Sequence, residues 1–70
     1  MADINKRFGK RLKQLREKHD LTQEGLAELS GVDYKYIQRL EGSKPSSPSL
    51  TILEKIAKAF KLSPSKLINF

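Results

Sequence analysis

Apolar residues recur along this chain at intervals of three and four, the spacing of an amphipathic helix, and this pattern predicts five helices and no strand. The predicted helices cover about residues 3–19, 23–30, 33–41, 49–60 and 63–68. The stretch 43–48, SKPSSP, breaks the pattern, and the residues after it are too few to form a domain of their own. We therefore expect a surface loop inside one all-α domain that spans residues 1–70.

Each predicted helix presents one apolar stripe to the core. The stripe of the first helix holds Ile4, Phe8, Leu12 and Leu15. Those of the second and third hold Leu26, Ala27, Leu29, Ile37 and Leu40. That of the fourth holds Leu50, Leu53, Ile56, Ala57 and Phe60. Near the end of the chain, Leu67, Ile68 and Phe70 either seal the core or offer a contact to a second copy, and the sequence leaves both alternatives open.

A glycine-centred break separates the second and third helices. Thr22 and Asp33 are placed to accept amide hydrogen bonds as the N-caps of these two helices. Gly31 directly follows the second helix, where the backbone often takes a positive φ that glycine tolerates without a clash. So short a connection excludes an antiparallel pair, and the small side chain of Ala27 allows a close, steep crossing. The pattern predicts a helix-turn-helix over about residues 22–41.

The third helix has a cationic outward face. Lys35 and Arg39 are one helical turn apart and point away from Ile37 and Leu40, which face inward. Each of these features is common in small helical proteins, but together they are typical of a helix that enters a DNA major groove.

Two opposite charges continue the buried stripes of two helices. Arg16 lies four residues after Leu12, and Glu41 lies four residues after Ile37. We expect them to meet as a partly buried ion pair that holds the first helix to the third, and loss of one partner would then cost about 3 to 5 kcal/mol. The alternative is that both project into water, where such a pair contributes about 0 to 1 kcal/mol.

The net charge of +6 is distributed in blocks along the chain. Residues 1–20 hold seven basic and three acidic residues (+4), residues 21–33 hold three acidic residues and no basic one (−3), and residues 34–70 hold seven basic and two acidic residues (+5). Double-stranded DNA is the expected polyanionic partner, because phosphate contacts from Lys and Arg release counterions. An anionic membrane surface would require a broad apolar face, and the apolar residues are better explained as core.

Several other classes of function are not expected. The chain has no cysteine, its first ten residues lack the apolar segment of a signal peptide, and no stretch is long and apolar enough for a membrane helix, so we expect a cytoplasmic protein. The only histidine, His19, stands at a helix end without a nucleophile or a paired carboxylate nearby. Since no metal-ligand cluster and no phosphate-binding glycine loop is present, we expect no enzyme activity, no cofactor and no small-molecule substrate.

The chain resembles the phage-repressor and Cro type of helix-turn-helix domain, also called the Xre family, from about Phe8 to Leu67. The matching features are the LTQ that opens the second helix, Ala27, the Gly31-Val32 turn, Ile37, Leu40-Glu41, the PSL at 48–50 and the LEKIAKAF that ends at Phe60. The resemblance implies a five-helix domain that binds a pseudo-palindromic operator as a homodimer and regulates transcription, usually as a repressor. The Tyr36-Ile37 pair and the basic first helix also resemble restriction-modification controller proteins.

The resemblance, together with side-chain chemistry and position, indicates which residues contact DNA. The base contacts are expected from the outward positions of the third helix, namely Asp33, Tyr34, Lys35 and Arg39. Gln38 lies beside this face, where it can reach a base or a phosphate, and we group it with the base contacts. Backbone contacts are expected from Thr22, Gln23, Tyr36, Ser43 and Lys44, with Lys10 adding sequence-independent attraction. Among these, Arg39 can present a bidentate fork to guanine, whereas Lys35 acts as a point charge. Asp33 departs from the Ser or Thr of many relatives and places a negative charge near phosphates.

One alternative function comes from a different class. Domains of this type also serve as protein-interaction modules, such as antitoxins or transcriptional bridging factors. The apolar end of the chain, LINF at 67–70, is the feature that would support this alternative.

Overall fold

The computed structural model describes residues 3–70, and within this range the chain forms five helices and no strand. The helices are α1 (Ile4–Lys18), α2 (Gln23–Ser30), α3 (Tyr34–Glu41), α4 (Leu50–Ala59) and α5 (Pro64–Leu67). The predicted all-α, five-helix architecture is therefore confirmed. Within residues 3–70, no helix is both long enough and apolar enough to cross a membrane.

Polar side chains begin the helices where the sequence placed their N-caps. Thr22 Oγ1 accepts from the amide of Gly25 at 2.9 Å, and Ser49 Oγ accepts from the amide of Ile52 at 3.2 Å. Ser63 caps α5 in the same way, with Pro64 in the first turn, where its missing amide proton costs nothing. These local bonds satisfy amides that have no partner inside the helix, so they set the helix starts independently of tertiary packing.

The core is one cluster of eleven buried apolar residues within the described range, drawn from all five helices, from the turn after α2 and from the residue that ends α4. Its members are Phe8, Leu12, Leu15, Leu26, Val32, Ile37, Leu40, Ile56, Ala57, Phe60 and Leu67. Around this cluster α1 packs on α3, α2 packs on both α3 and α4, and α4 packs on α5. Helix α3 is therefore held from two sides, by α1 and by α2.

Three residues that were predicted to face the core are exposed: Ile4 by 65%, Leu29 by 61% and Leu50 by 84%. Ile4 and Leu50 are each the first residue of a helix and lie beyond the edge of the core. The inward side of α2 lies between Leu26 and Ala27, and at about 100° per residue Leu29 is about 110° away from it. The prediction was wrong for Ile4 and Leu50 because helical spacing does not locate where the neighbouring helices end, and it was wrong for Leu29 because that side chain points away from the inward side of α2.

The structure places one of the three apolar C-terminal residues in the core. Leu67 is fully buried and closes the core, whereas Ile68 and Phe70 remain 46% and 40% exposed. Two arginines of α1 hold this segment: Arg11 donates to the carbonyls of residues 66 and 67, at 3.0 and 3.3 Å, and Arg7 donates to that of Phe70 at 3.2 Å. The Arg7 guanidinium also lies 5.1 Å from the centre of the Phe70 ring. These two arginines therefore connect α1 to the C-terminal residues and are not only solvent-exposed charges.

Candidate nucleic-acid interface

The turn between α2 and α3 has the geometry that the sequence predicted for it. Gly31 adopts a left-handed conformation with φ of 74°, and its amide donates to the carbonyl of Ala27 at 2.9 Å. Two residues later, Asp33 Oδ1 accepts from the amide of Lys35 at 3.0 Å and starts α3. Since an L side chain is strained at such a φ, glycine is the residue suited to this reversal.

A glycine in α1 determines how closely α1 approaches α3. Gly9 is buried, and a Cβ built on it would overlap the backbone carbonyl oxygen of Leu40. The two helices therefore meet backbone to backbone near the C-terminal end of α3. The sequence pattern did not predict this contact, although a signal was present: a glycine inside a helix costs stability and often has a packing reason.

A charged cluster joins α1, α2 and α3 beside this contact. Arg16 Nε and Nη2 donate to the two carboxylate oxygens of Glu41 at 2.9 and 3.0 Å, which is bidentate geometry. The side chains are only 12% and 4% exposed, respectively. Arg16 Nη1 also donates to the carbonyl of Leu21 at 2.8 Å. The hydrogen bond with Glu41 raises the pKa of Arg16, burial partly opposes this rise, and the charges of Glu41 and Glu17 add to it.

Gln23 also belongs to this cluster. Its Nε2 donates to Glu41 Oε1 at 3.1 Å, so the first residue of α2 is bonded to the last residue of α3. The sequence resemblance assigned Gln23 to a DNA phosphate and gave no sign of this bond. Because an amide nitrogen carries two protons, the bond to Glu41 uses one of them.

The outward side of α3 brings together most of the residues predicted to contact bases. Four of them are exposed and lie within about one and a half turns of the helix: Tyr34, Lys35, Gln38 and Arg39. Gln38 Nε2 donates to the Tyr34 hydroxyl at 3.0 Å, a contact that the sequence pattern did not predict. Asp33 is also exposed but uses one carboxylate oxygen as the helix cap. Tyr36 differs from these residues, because it is half-buried and packs against the core cluster.

The residues predicted to contact the DNA backbone lie on separate parts of the surface. Thr22 is exposed at the start of α2, and Ser43 and Lys44 are exposed in the loop after α3. Lys10, in contrast, borders a shallow depression whose other residues are Arg7, Arg11, Gln14 and Phe70. It therefore lies beside the C-terminal segment and is not grouped with the outward side of α3. Among residues 3–70, no cluster of His, Cys, Asp and Glu could hold a metal ion.

A second surface feature lies between the start of α1, the loop before α4 and the end of the chain. It is a depression of about 300 Å³ whose apolar lining residues include Ile4, Pro48, Leu53, Ile68 and Phe70, and we call it the apolar groove. Leu50 lies three residues before Leu53 on α4, on the same side of that helix. Four of the six large apolar side chains that are exposed within residues 3–70 therefore line or adjoin this groove.

Comparison with known proteins gives three findings. Residues 12–67 match the helix-turn-helix family. The chain is 41% identical over 70 residues to control protein C.MunI of Mycoplasma sp, covering 99% of this chain and 93% of that protein. It is 36% identical over 69 residues to the HTH-type transcriptional regulator PuuR of Escherichia coli K12, covering 99% of this chain but only 37% of PuuR.

A solved structure is similar to the whole fold. The crystal structure of the restriction-modification controller protein C.AhdI from Aeromonas hydrophila superposes with a TM-score of 0.83 at 38% sequence identity. The match covers 90% of this chain and 94% of that one.

Proposed function

We propose that this chain binds a specific double-stranded operator with α3 in the major groove and acts as a repressor. The proposal starts from its family: the chain belongs to the helix-turn-helix family of DNA-binding transcriptional regulators. The observation that carries the proposal is the outward side of α3, where Lys35 and Arg39 are exposed on a helix held in place by Gly9 and by the pair of Arg16 and Glu41. A rigidly supported helix keeps its side chains aligned with the base edges.

The proposed contacts derive from side-chain chemistry and position. Arg39 is the main base contact, because its planar fork matches guanine O6 and N7, and Lys35 lies one turn before it. Gln23 contacts a phosphate with the amide proton that Glu41 does not use, near the N-terminus of α2, where backbone amides favour anions. The remaining contacts are Asp33, Tyr34 and Gln38 to bases, and Thr22, Tyr36, Ser43 and Lys44 to the backbone. Lys10, beside the C-terminal segment, adds sequence-independent attraction to the DNA backbone.

Selection of bound sequences from a random DNA pool tests the proposal, followed by affinity measurements on the selected site and on random duplex. Arg39→Ala should lower affinity for the selected site about tenfold more than affinity for random duplex, because it removes a base contact. Lys44→Ala is the matched control: it should weaken binding to both by the same factor and reduce the salt slope by about one.

Two outcomes would contradict the operator proposal. Equal losses for Arg39→Ala on both DNAs would remove Arg39 from the base contacts. No enriched sequence, together with a salt slope near zero, would indicate a protein partner in place of DNA.

We also propose that two copies form a homodimer through the apolar groove. The support is that Ile4, Ile68 and Phe70 line the groove while Leu50 beside it is 84% exposed, so one surface offers both a cavity and a protruding apolar side chain. A two-fold axis lets each Leu50 enter the groove of the other copy, which is the self-complementary pattern of a symmetric dimer. Such a dimer would present two α3 helices to the two half-sites of an operator.

Sedimentation over a range of protein concentrations, without DNA, measures this dimer. Leu50→Glu should weaken self-association at least about tenfold, because a carboxylate would have to be desolvated in the groove. Leu29→Glu is the matched control, since Leu29 is similarly exposed but lies on α2, and it should leave self-association unchanged. A monomeric wild-type chain at high concentration, or equal effects of the two substitutions, would contradict this interface.

Operator binding requires access to the cell's DNA, and we therefore propose a cytoplasmic location. We further propose that residues 1–70 act as one DNA-binding domain, which the single core cluster of the described residues supports.

A further inference from the structure

Tyr34 and Gln38 form a side-chain pair on the surface of α3. They are four residues apart, which places them on neighbouring turns of one helix face, and Gln38 Nε2 donates to the Tyr34 hydroxyl at 3.0 Å. Both residues are exposed, with Tyr34 at 37%. The pair therefore lies at the surface that the proposed function directs toward the major groove.

The hydrogen bond sets the polarity of the tyrosine hydroxyl. A phenol hydroxyl carries one proton and can also accept a hydrogen bond. When the oxygen accepts from the Gln38 amide, its own proton cannot point at that nitrogen and is directed away from Gln38. Tyr34 is then prepared to donate to a further acceptor and is poorly arranged to accept from a further donor.

The position of Gln38 on the helix determines where that hydroxyl lies. With Ile37 and Leu40 facing the core, the outward direction of α3 is about 50° from Gln38 and about 90° from Tyr34, at 100° per residue. Tyr34 by itself would lie at the flank of the helix, where phosphates are the nearer partners. The bond to Gln38 draws its hydroxyl toward the middle of the outward side, between the flank and Lys35.

We propose that Gln38 is a positioning residue that commits Tyr34 to donate a hydrogen bond to a base acceptor in the major groove. The acceptors available there are guanine O6 and N7, adenine N7 and thymine O4, whereas the amines of cytosine and adenine would be rejected as partners. The inference rests on the proposed function, because it assumes that α3 enters the groove. It changes the role of Gln38 from an independent base contact to one that acts through Tyr34.

The test compares base preferences selected from a random DNA pool by the wild-type chain and by variants at the two positions. Tyr34→Phe should abolish the preference at one base pair of each half-site and lower affinity for the selected site about tenfold, while affinity for random duplex changes by less than about twofold. Gln38→Leu keeps the hydroxyl but removes its amide donor, and should relax the preference at the same base pair. Because Gln38 acts through Tyr34, the double variant should bind no more weakly than Tyr34→Phe alone.

Gln38→Glu reverses the direction of the hydrogen bond between residue 38 and the Tyr34 hydroxyl, and it is the most discriminating of these variants. The carboxylate accepts the phenol proton, so the hydroxyl presents only a lone pair to the groove. The selected base at that position should change from one that presents an acceptor to one that presents an amine, which is cytosine or adenine. Thermal unfolding of each variant serves as the folding control, and since both side chains are exposed, the midpoints should agree closely with that of the wild-type chain.

Three outcomes would overturn the inference. Tyr34→Phe could lower affinity equally for all DNA sequences, which indicates a phosphate contact, or it could leave the selected base preferences unchanged. Gln38→Leu could change the preference at a different base pair, with an affinity loss that adds fully to that of Tyr34→Phe. Each of these leaves wild-type operator selection intact. Failure of the wild-type chain to enrich any sequence contradicts the proposed function itself, so the two failures are distinguishable.

Discussion

Replacing Glu41 with alanine should lower the free energy of unfolding by about 3 to 5 kcal/mol, because it leaves the guanidinium of Arg16 buried without its carboxylate. It also removes the acceptor of the Gln23 amide and so disconnects the start of α2 from the end of α3. Small domains are stable by only about 5 to 15 kcal/mol, so the loss would be a large part of the total. Denaturation in urea, followed by circular dichroism, measures it.

Two further variants control for this prediction. Glu54→Ala removes an exposed carboxylate from α4 and should change stability by less than about 0.5 kcal/mol. The double variant Arg16→Met with Glu41→Leu removes both charges together and should recover much of the loss, since no ion is then left unpaired. Arginine stays protonated at neutral and mildly alkaline pH with or without Glu41, so the loss should be the same under both conditions. A loss below about 1 kcal/mol for Glu41→Ala would mean that water screens the pair.

Replacing Gly9 with alanine should destabilise the chain by about 2 kcal/mol and also weaken operator binding. The added methyl group would overlap the carbonyl oxygen of Leu40 and approach its carbon to 3.3 Å, and backbone atoms cannot rotate away as a flexible side chain can. Overpacking of this kind costs about 3 kcal/mol at the upper end of its usual range, and the better helix propensity of alanine returns about 1 kcal/mol. Binding weakens because α3 must move outward to relieve the overlap.

Gly25→Ala is the matched control, since it makes the same change inside α2. A methyl group there would meet Thr22 Oγ1 at 3.2 Å and Leu21 Cδ2 at 3.5 Å, both side-chain atoms that can shift. We expect this variant to unfold within about 0.5 kcal/mol of the wild-type chain, because the propensity gain offsets the tight contact. Equal stability of the Gly9 and Gly25 variants would show that α1 and α3 can separate without cost.

The sequence predicted the parts of this fold that depend on neighbours along the chain. The N-caps at Thr22, Asp33 and Ser49 and the left-handed turn at Gly31 form bonds that span two to four residues, so residue type and position were enough to locate them. The same local information placed Lys35 and Arg39 on the outward side of α3, because their sides are set by the helical period alone.

The predictions were wrong or missing where the burial or the contacts of a residue depend on helices that are distant from it in the sequence. The spacing that placed Phe8 correctly in the core also placed Ile4 and Leu50 there, since a periodic pattern gives the side of a helix but not where its neighbours end. The roles of Gly9 and Gln23 depend on contacts with α3 that lie 18 or more residues away, and no local pattern encodes them.

The sequence by itself determined five helices, a glycine turn and a cationic side on the third helix, because each is set by interactions within one or two helical turns. Only the tertiary structure decided how α3 is held, by Gly9 against its backbone, by the bidentate pair of Arg16 with Glu41 and by Gln23 bonded to that pair. It also decided that Leu50 remains outside the core. The physical reason is that periodicity determines directions around a helix axis, whereas burial and hydrogen bonding depend on distances between helices, which exist only once the chain has folded.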